Sequence, residues 1–356
     1  MGERVRARGP GRVNLIGEHT DYNAGLALPF AIDRGVTVTA EPAAGATIVA
    51  RALDLGEEDE FAVPTTSDAV GSGRSAPVEE RVGGWRAFVR GMAAELAAAG
   101  HELRPCRLTI EGDVARGSGL SSSAALEAAL ALALLAVSGL PEPEDRRDLA
   151  RLCSRVENDW VGAETGLLDQ LASLCGEPGD ALRIDFATLE LGLVPLDLRD
   201  WALVTLDSGA THEHAGSGYN DRRRECREAC AALGIETLRD ARPDEVDRLP
   251  DPLRRRARHV LAENARVDAM VDALREHDLE RAGRLLDASH TSLRDDYAAS
   301  VPAVERTVDL LRTAGAAGAR MVGGGFGGSV LALLPPGVPA PRDALAVAPG
   351  PAARLL

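Results

Sequence analysis

Residues 117–124 read Gly117-Ser118-Gly119-Leu120-Ser121-Ser122-Ser123-Ala124 and run directly into Ala124 to Val137, the most apolar stretch of the chain. At about fourteen residues, interrupted by Glu127, that stretch is too short to cross a bilayer and predicts a buried helix. Arg107 to Glu111, just before it, reads as a short strand. A glycine-rich turn between strand and helix leaves backbone N–H groups facing outward, and the positive end of the helix dipole favours an anion there. The plain alternative is a structural N-cap, but three consecutive serines exceed what capping requires.

Working outward, the first fifty residues alternate as strands do: Val5 to Arg8, Leu26 to Ile32, Val36 to Ala40 and Ala46 to Ala50, with Gly, Asn and Asp between them. An antiparallel sheet is expected. Asp54 to Arg81 is polar and turn-rich and reads as a surface loop. Helical spacing marks Trp85 to Ala99, stopped by Gly100, and most of Glu144 to Cys175, broken around Gly162 to Gly166. Near Asp185 the character changes. Strands Leu193 to Leu196 and Trp201 to Leu206 lead into long amphipathic helices from Asn220 to Leu311, then a glycine cluster and strand, Gly323 to Leu334, and a turn-heavy tail, Pro335 to Ala348. This predicts two α+β domains, 1–185 and 186–356, with a cleft between them.

Composition removes whole classes of chemistry. The 356 residues are 45% hydrophobic and 27% charged, enough for a large core. A net charge of −15 argues against a broad electrostatic grip on nucleic acid or a membrane surface. All 40 basic residues are arginine, so a Walker A lysine, a protein-kinase lysine and Schiff-base chemistry have no side chain to use. Five cysteines are odd in number and too few for a disulfide framework, and Met1 to Pro10 lacks an apolar targeting core; a cytoplasmic protein is expected. Cys226 and Cys230 near His212 and His214 hint at zinc, but the spacing of four ligands is not there.

Three further stretches bear on function. Gly323-Gly324-Gly325-Phe326-Gly327-Gly328 satisfies G-x-G-x-x-G, yet a strand and Pro335-Pro336 follow instead of a helix, so a dinucleotide site is rejected. A loop that brings backbone close to a substrate remains. Pro10 to Gly25 crowds Arg12, Asn14, Glu18, His19, Asp21, Tyr22 and Asn23 into one loop, a density suited to a polyhydroxylated ligand rather than a solvated turn. Gly166-Leu167-Leu168-Asp169-Gln170 sets an acid at a helix break, where a cap is the commoner reading. Glu157 lies twelve residues earlier, and two carboxylates near a phosphate loop suit one Mg²⁺ and one catalytic role.

Taken together these residues resemble a known family. Gly11 to Gly25 resembles the galactokinase signature, and Gly117 to Ala124 and Gly323 to Gly328 resemble the second and third motifs of the GHMP small-molecule kinases. The similarity extends to Glu157 through Ser173, to Asp207 through Arg223 with Tyr219-Asn220, and to Ser289 through Tyr297. The resemblance implies an α+β, two-domain GHMP kinase fold. Its N-terminal domain would be a mixed sheet with helices, of the ribosomal protein S5 domain 2-like type, and its C-terminal domain ferredoxin-like.

It also implies ATP-dependent phosphorylation of D-galactose at the C1 hydroxyl. Asp169 would be the base and Arg12 would stabilise charge beside it. Glu18, His19, Asp21 and Tyr219 would bind sugar hydroxyls, with a backbone contact from Gly166. The loop Gly117, Ser118, Gly119, Leu120, Ser121, Ser122 and Ser123 would cradle the ATP phosphates, and Ser123 with Glu157 would hold Mg²⁺. Small-molecule substrates, no nucleic acid, no membrane and a monomer or weak dimer follow. Ala24, Ala115, Val322 and Glu305 depart from the family's usual glycine, proline, threonine and aspartate. The alternatives are a kinase for galacturonate, arabinose or N-acetylgalactosamine, or a non-catalytic sensor of galactose and ATP.

Overall fold

The structure, a computed structural model, describes residues 3–65, 82–114, 117, 119–163, 165–210 and 215–356. Ser118, Ala115, His212 and His214, singled out above, lie outside the described residues, as does most of the expected 54–81 loop.

Strands β1 (Val5–Asn14), β3 (Pro29–Pro42), β4 (Thr47–Ala52), β5 (Glu57–Ala62) and β6 (Cys106–Gly112) form a six-stranded sheet in the order β13-β1-β3-β6-β4-β5, with β13 (Arg354–Leu355) on one edge. Its ladders are antiparallel except β4 against β6. Strand β5 corrects the expected loop. Its sequence, Glu-Glu-Asp-Glu-Phe-Ala, is almost all acid, which disguises an edge strand that faces solvent on one side.

Helix α2 (Ser122–Val137) packs across β1 and β3, and helix α1 (Trp85–Ala98) packs against α2. Nearly every side chain of α2 is buried, as its composition required. It approaches β1 so closely that a Cβ on Gly9 would lie 2.0 Å from the Ala125 carbonyl oxygen. Helix α3 (Arg146–Arg155) widens into a π-helical turn, Val156–Val161, before α4 (Leu168–Cys175) begins. The wide turn ends against Gly162, where the expected break begins.

A three-stranded sheet joins β2 (Leu26–Ala27) to the hairpin β7 (Asp180–Asp185) and β8 (Glu190–Pro195). The division expected after residue 185 falls in the turn of that hairpin, whose first strand has no period-2 signal strong enough to announce it. A four-stranded sheet follows in the order β10-β11-β9-β12, from β9 (Ala202–Asp207), β10 (Gly318–Met321), β11 (Ser329–Leu334) and β12 (Leu345–Val347). Helices α5 (Ala215–Leu233), α6 (Leu253–Arg275), α7 (Leu279–Asp295) and α8 (Pro302–Thr313) accompany it. The tail after Pro335 is therefore not all turn: β12 pairs with β9, and β13 returns to pair with β1.

The loop after β1 is seated on this second group of elements. Fully buried Arg320, on β10, donates from one guanidinium nitrogen to the Asn14 and Leu15 carbonyls at 2.9 Å each. Glu263 on α6 accepts from the Gly17 N–H at 3.1 Å and from the Ser289 hydroxyl at 2.6 Å. Among the described residues, no helix is long and apolar enough to cross a membrane.

Candidate active site

Arg12 sits on β1 beside the point where its pairing with β3 shifts register. Its side chain crosses to the first turn of α4, donating from Nε to Asp169 Oδ1 at 2.6 Å and from a terminal nitrogen to Oδ2 at 2.8 Å. The other terminal nitrogen donates to the Gly119 carbonyl at 2.5 Å, and the Arg12 N–H to the Leu120 carbonyl at 3.0 Å. The glycine turn is thereby tied to the acid. Burial alone would lower the Arg12 pKa, but the negative charges of Asp169 and Glu18 outweigh it and raise it.

Ser121 is the N-cap of α2, yet its hydroxyl makes no cap bond; it donates to Asp169 Oδ2 instead. Its backbone is left-handed, φ +61°, a strained conformation of the kind that clusters at functional sites. Gly117 and Gly119 also have positive φ and carry the turn. Asp169 is stabilised by the helix N-terminus in which it stands.

A pocket of about 90 Å³ opens beside this pair, with Glu18, His19, Asp21, Gly166 and Tyr219 in its wall together with Arg12 and Asp169. Glu18 accepts from the Gly323 N–H at 2.8 Å and from Asn14 Nδ2 at 2.9 Å, and forms an ion pair with the Arg320 guanidinium at 3.2 Å. Burial still holds its carboxyl above the ordinary range, partly offset by Arg320 and Arg12. Gly323 and Gly324 of the glycine cluster join the wall, so the loop that mimics a dinucleotide fingerprint brings backbone into this pocket instead.

His19 has a left-handed backbone, φ +63°, and its pKa falls to about 3, first through burial and then through His259 and Arg222, so the ring is neutral. Asp21 moves the other way: burial lifts it to about 6, with a Tyr22 backbone hydrogen bond opposing and Asp169 adding repulsion. Gly166 is required by that carboxylate, since a Cβ there would lie 1.9 Å from Asp21 Oδ2.

On the far side of the same helix mouth, Ser122 and Ser123 line a larger cavity of about 530 Å³ with Trp85, Phe88, Val114 and Leu126. Glu157, projected by the π-helical turn, accepts from Thr165 Oγ1 at 2.9 Å, from Gln170 Nε2 at 2.7 Å and from Ser123. Burial first, and Asp169 second, hold its carboxyl above the usual range. Two hard oxygen donors, a hydroxyl and a carboxylate, thus meet there, the donor chemistry Mg²⁺ takes. Among the described residues no group of three or more His, Cys, Asp or Glu is placed to hold a metal, so such an ion would draw its remaining ligands from phosphate and water.

Three family models match the chain. The galactokinase galactose-binding signature matches residues 2–42, the N-terminal domain of GHMP kinases residues 87–177 and their C-terminal domain residues 270–349. A galactokinase of Mycobacterium bovis (strain BCG / Pasteur) is 44% identical over 335 residues, covering 92% of this chain and 88% of that protein. The chain belongs to the galactokinase family. A second member, from Thermotoga neapolitana, is 38% identical over 330 residues, covering 92% and 89%. The crystal structure of Lactococcus lactis galactokinase complexed with galactose superposes with a TM-score of 0.88 at 32% identity, over 99% of this chain and 95% of that one. A mevalonate kinase, at 17% identity and a TM-score of 0.66, shares the GHMP fold.

Three departures from the galactokinase pattern have structural counterparts. Ala24 is left-handed, φ +54°, where glycine would be unstrained. Glu305 is not idle: it pairs with His290 at 3.1 Å and accepts from Ser300. Val322 is buried, and its N–H donates to the Ser329 carbonyl at 3.0 Å. Sequence reading missed Trp85, Gln170 and Arg320. A tryptophan directly after Gly83-Gly84 was a usable signal for the cavity; a glutamine and an arginine that act by touching Glu157 and Glu18 left none.

Proposed function

We propose that this chain transfers the γ-phosphoryl group of ATP to the C1 hydroxyl of D-galactose, giving galactose 1-phosphate and ADP. The observation that carries the reading is the Arg12–Asp169 pair, which stands between the pocket holding Glu18, His19 and Asp21 and the serine-rich mouth of α2. Galactose fits the first, whose side chains offer both acceptors and donors; the ATP phosphates fit the backbone amides of Gly117 and of Gly119 to Ser123, and the base fits the cavity beside Trp85. The reading makes the partners small molecules handled in the cytoplasm by a monomer or weakly associated dimer.

Asp169 accepts the C1 hydroxyl proton. An aspartate is far too weak a base to deprotonate a sugar hydroxyl in the ground state, so the proton moves late, as the new P–O bond forms in a loose transition state. Arg12 orients Asp169, and its guanidinium stays beside the reacting oxygen as charge redistributes. Glu18, Asp21 and Tyr219 hold hydroxyls, and Gly166 leaves room for Asp21. Ser123 and Glu157 would hold Mg²⁺. That ion, when bound, neutralises charge on the transferring phosphates.

A coupled ADP-release assay across galactose, glucose, arabinose, galacturonate and N-acetylgalactosamine tests the reading. Galactose is expected to be used at least tens of times better than glucose, since one unpaired buried polar group costs about 1–3 kcal/mol. Asp169→Ala should release no measurable ADP while staying folded. Equal use of the two hexoses, or full turnover by that variant, would overturn it.

A further inference from the structure

The His19 side chain is held by a ring of hydrogen bonds whose direction follows from one unambiguous end. That end is the main-chain carbonyl of His19 itself, which can only accept. Asn23 Nδ2 donates to it at 2.8 Å, which fixes the amide orientation, and the same Nδ2 lies 3.7 Å from Cys226 Sγ, so the sulfur accepts there. Cys226 is a buried thiol, pushed up to about 11 by burial, and keeps its proton. Its remaining partner is Tyr297 Oη at 3.2 Å, so the thiol donates to it. Tyr297 Oη then donates to Tyr22 Oη at 2.8 Å, and Tyr22 Oη to His19 Nδ1 at 2.8 Å.

The reverse direction would have Asn23 and Tyr297 both donating to Cys226 and would leave its S–H with no acceptor among the described residues. With Nδ1 accepting, the one proton of the neutral ring lies on Nε2. That nitrogen is buried in a side chain that forms part of the pocket wall, where the Gly324 main chain favours an N–H on the ring.

We propose that Asn23, Cys226, Tyr297 and Tyr22 lock His19 as its Nε2–H tautomer, making it a donor in a pocket that also presents the carboxyl groups of Glu18, Asp21 and Asp169. Tyr22, Tyr297 and Cys226 are then positioning residues for sugar selection. A hydroxyl meeting His19 is recognised only when its oxygen receives the Nε2 proton while its own proton goes to a carboxylate, so the site demands a hydroxyl that both donates and accepts. The inference rests on the sugar occupying this pocket.

The test is nitrogen NMR on protein labelled at histidine, without sugar, joined to steady-state kinetics. The wild type should show His19 protonated at Nε2 and bare at Nδ1. Tyr22→Phe should mix the tautomers and raise the galactose KM about tenfold, the scale of one lost hydrogen bond, with the ATP KM held within about twofold. Tyr297→Phe and Cys226→Ala should move both readouts the same way, whereas Cys226→Ser, which restores a donor, should keep the wild-type tautomer. An Nδ1–H tautomer in the wild type overturns the proposal, as do Tyr22→Phe and Tyr297→Phe variants with wild-type spectra; should either fail to fold, the wild-type spectrum and the Cys226 pair still decide. Because the spectrum is read without sugar, failure to phosphorylate galactose would overturn the function proposed above and leave the tautomer result standing.

Discussion

Arg12 and Asp169, 157 positions apart in the chain, grip each other through two parallel hydrogen bonds of 2.6 and 2.8 Å. The arginine side chain is 7% exposed and the aspartate 24%, so the carboxylate keeps one side toward the pocket while the guanidinium is locked behind it. With Ser121 as a third donor, the carboxylate is held from one side by three hydrogen bonds. The planar fork also spans to Gly119, so one side chain sets both the base and the phosphate turn.

Arg12→Lys therefore removes more than it preserves. An ammonium cannot reproduce two parallel donors to Asp169 and a third to Gly119, so geometry is lost although charge is kept. Turnover should fall by about 10² to 10³, the usual cost of losing one preorganised charge-stabilising group. Steady-state kcat together with a circular-dichroism melt checks this; a loss under about threefold with normal melting would show that the pair is structural.

Asp21 links pH to affinity and stability in opposite senses. Its folded pKa of about 6, against 3.8 ordinarily, means the folded chain binds this proton more tightly than the unfolded one. The group therefore supports folding fully below about pH 4, and that support is lost as pH rises through 6. At pH 7 the half-buried charge costs stability, and Asp21→Asn should raise Tm there but not at pH 4. If the ionised form takes the sugar hydroxyls, galactose affinity should weaken about tenfold by pH 5, one unit below that pKa. Calorimetric titration of galactose from pH 5 to 8, with the ionic neighbours Asp169, Glu18 and Arg223 intact, reads it directly.

Much of this was legible in the sequence because the site draws on two unusual strings. The polar crowd at Arg12 to Asn23 and the serines at 121–123 have more hydrogen-bonding capacity than a loop or a cap can use, and that excess is the signal of a ligand. The long-range partners were not legible. Nothing local says that Arg320 crosses to Glu18 or that Cys226 closes a ring with His19, because such pairs depend on how helices and sheets dock. Strand β5 escaped for a different reason: at an exposed edge, solvation permits a row of acids that a period-2 hydrophobic test rejects.

Gly166→Ala isolates the fit around Asp21. The new methyl would meet the carboxylate tip, a side-chain end that rotates away, so the fold should survive with little change in Tm. The displaced carboxylate would lose its hydroxyl contact, raising the galactose KM about tenfold at unchanged ATP KM. Parallel KM determinations for both substrates check the split, and an equal rise in both would refute it.

Trp85→Ala asks the complementary question of the larger cavity. The indole is fixed by donating to Glu57 at 2.8 Å and lies under the Arg86 guanidinium, 5.0 Å from the ring centre. Aromatic stacking on a base is worth about 1–3 kcal/mol, so the ATP KM should rise roughly tenfold or more while the galactose KM holds. Fluorescent-nucleotide titration should show the same loss without sugar present; unaltered nucleotide affinity would place the base elsewhere.

Ala24→Gly concerns strain beside the sugar loop. Ala24 holds φ +54°, ψ +27° as the residue that ends the Asp21–Asn23 turn, while its carbonyl accepts from Arg239 at 3.2 Å. A left-handed alanine costs about 1–2 kcal/mol, and glycine returns part of this through the extra freedom of its unfolded chain, about 0.5–1 kcal/mol. The net expectation is a gain near 0.5 kcal/mol, read as a higher denaturant midpoint at unchanged slope. Because the turn keeps its shape, both KM values should stay put; a lower midpoint would mean that the alanine methyl contributes packing that outweighs its strained backbone.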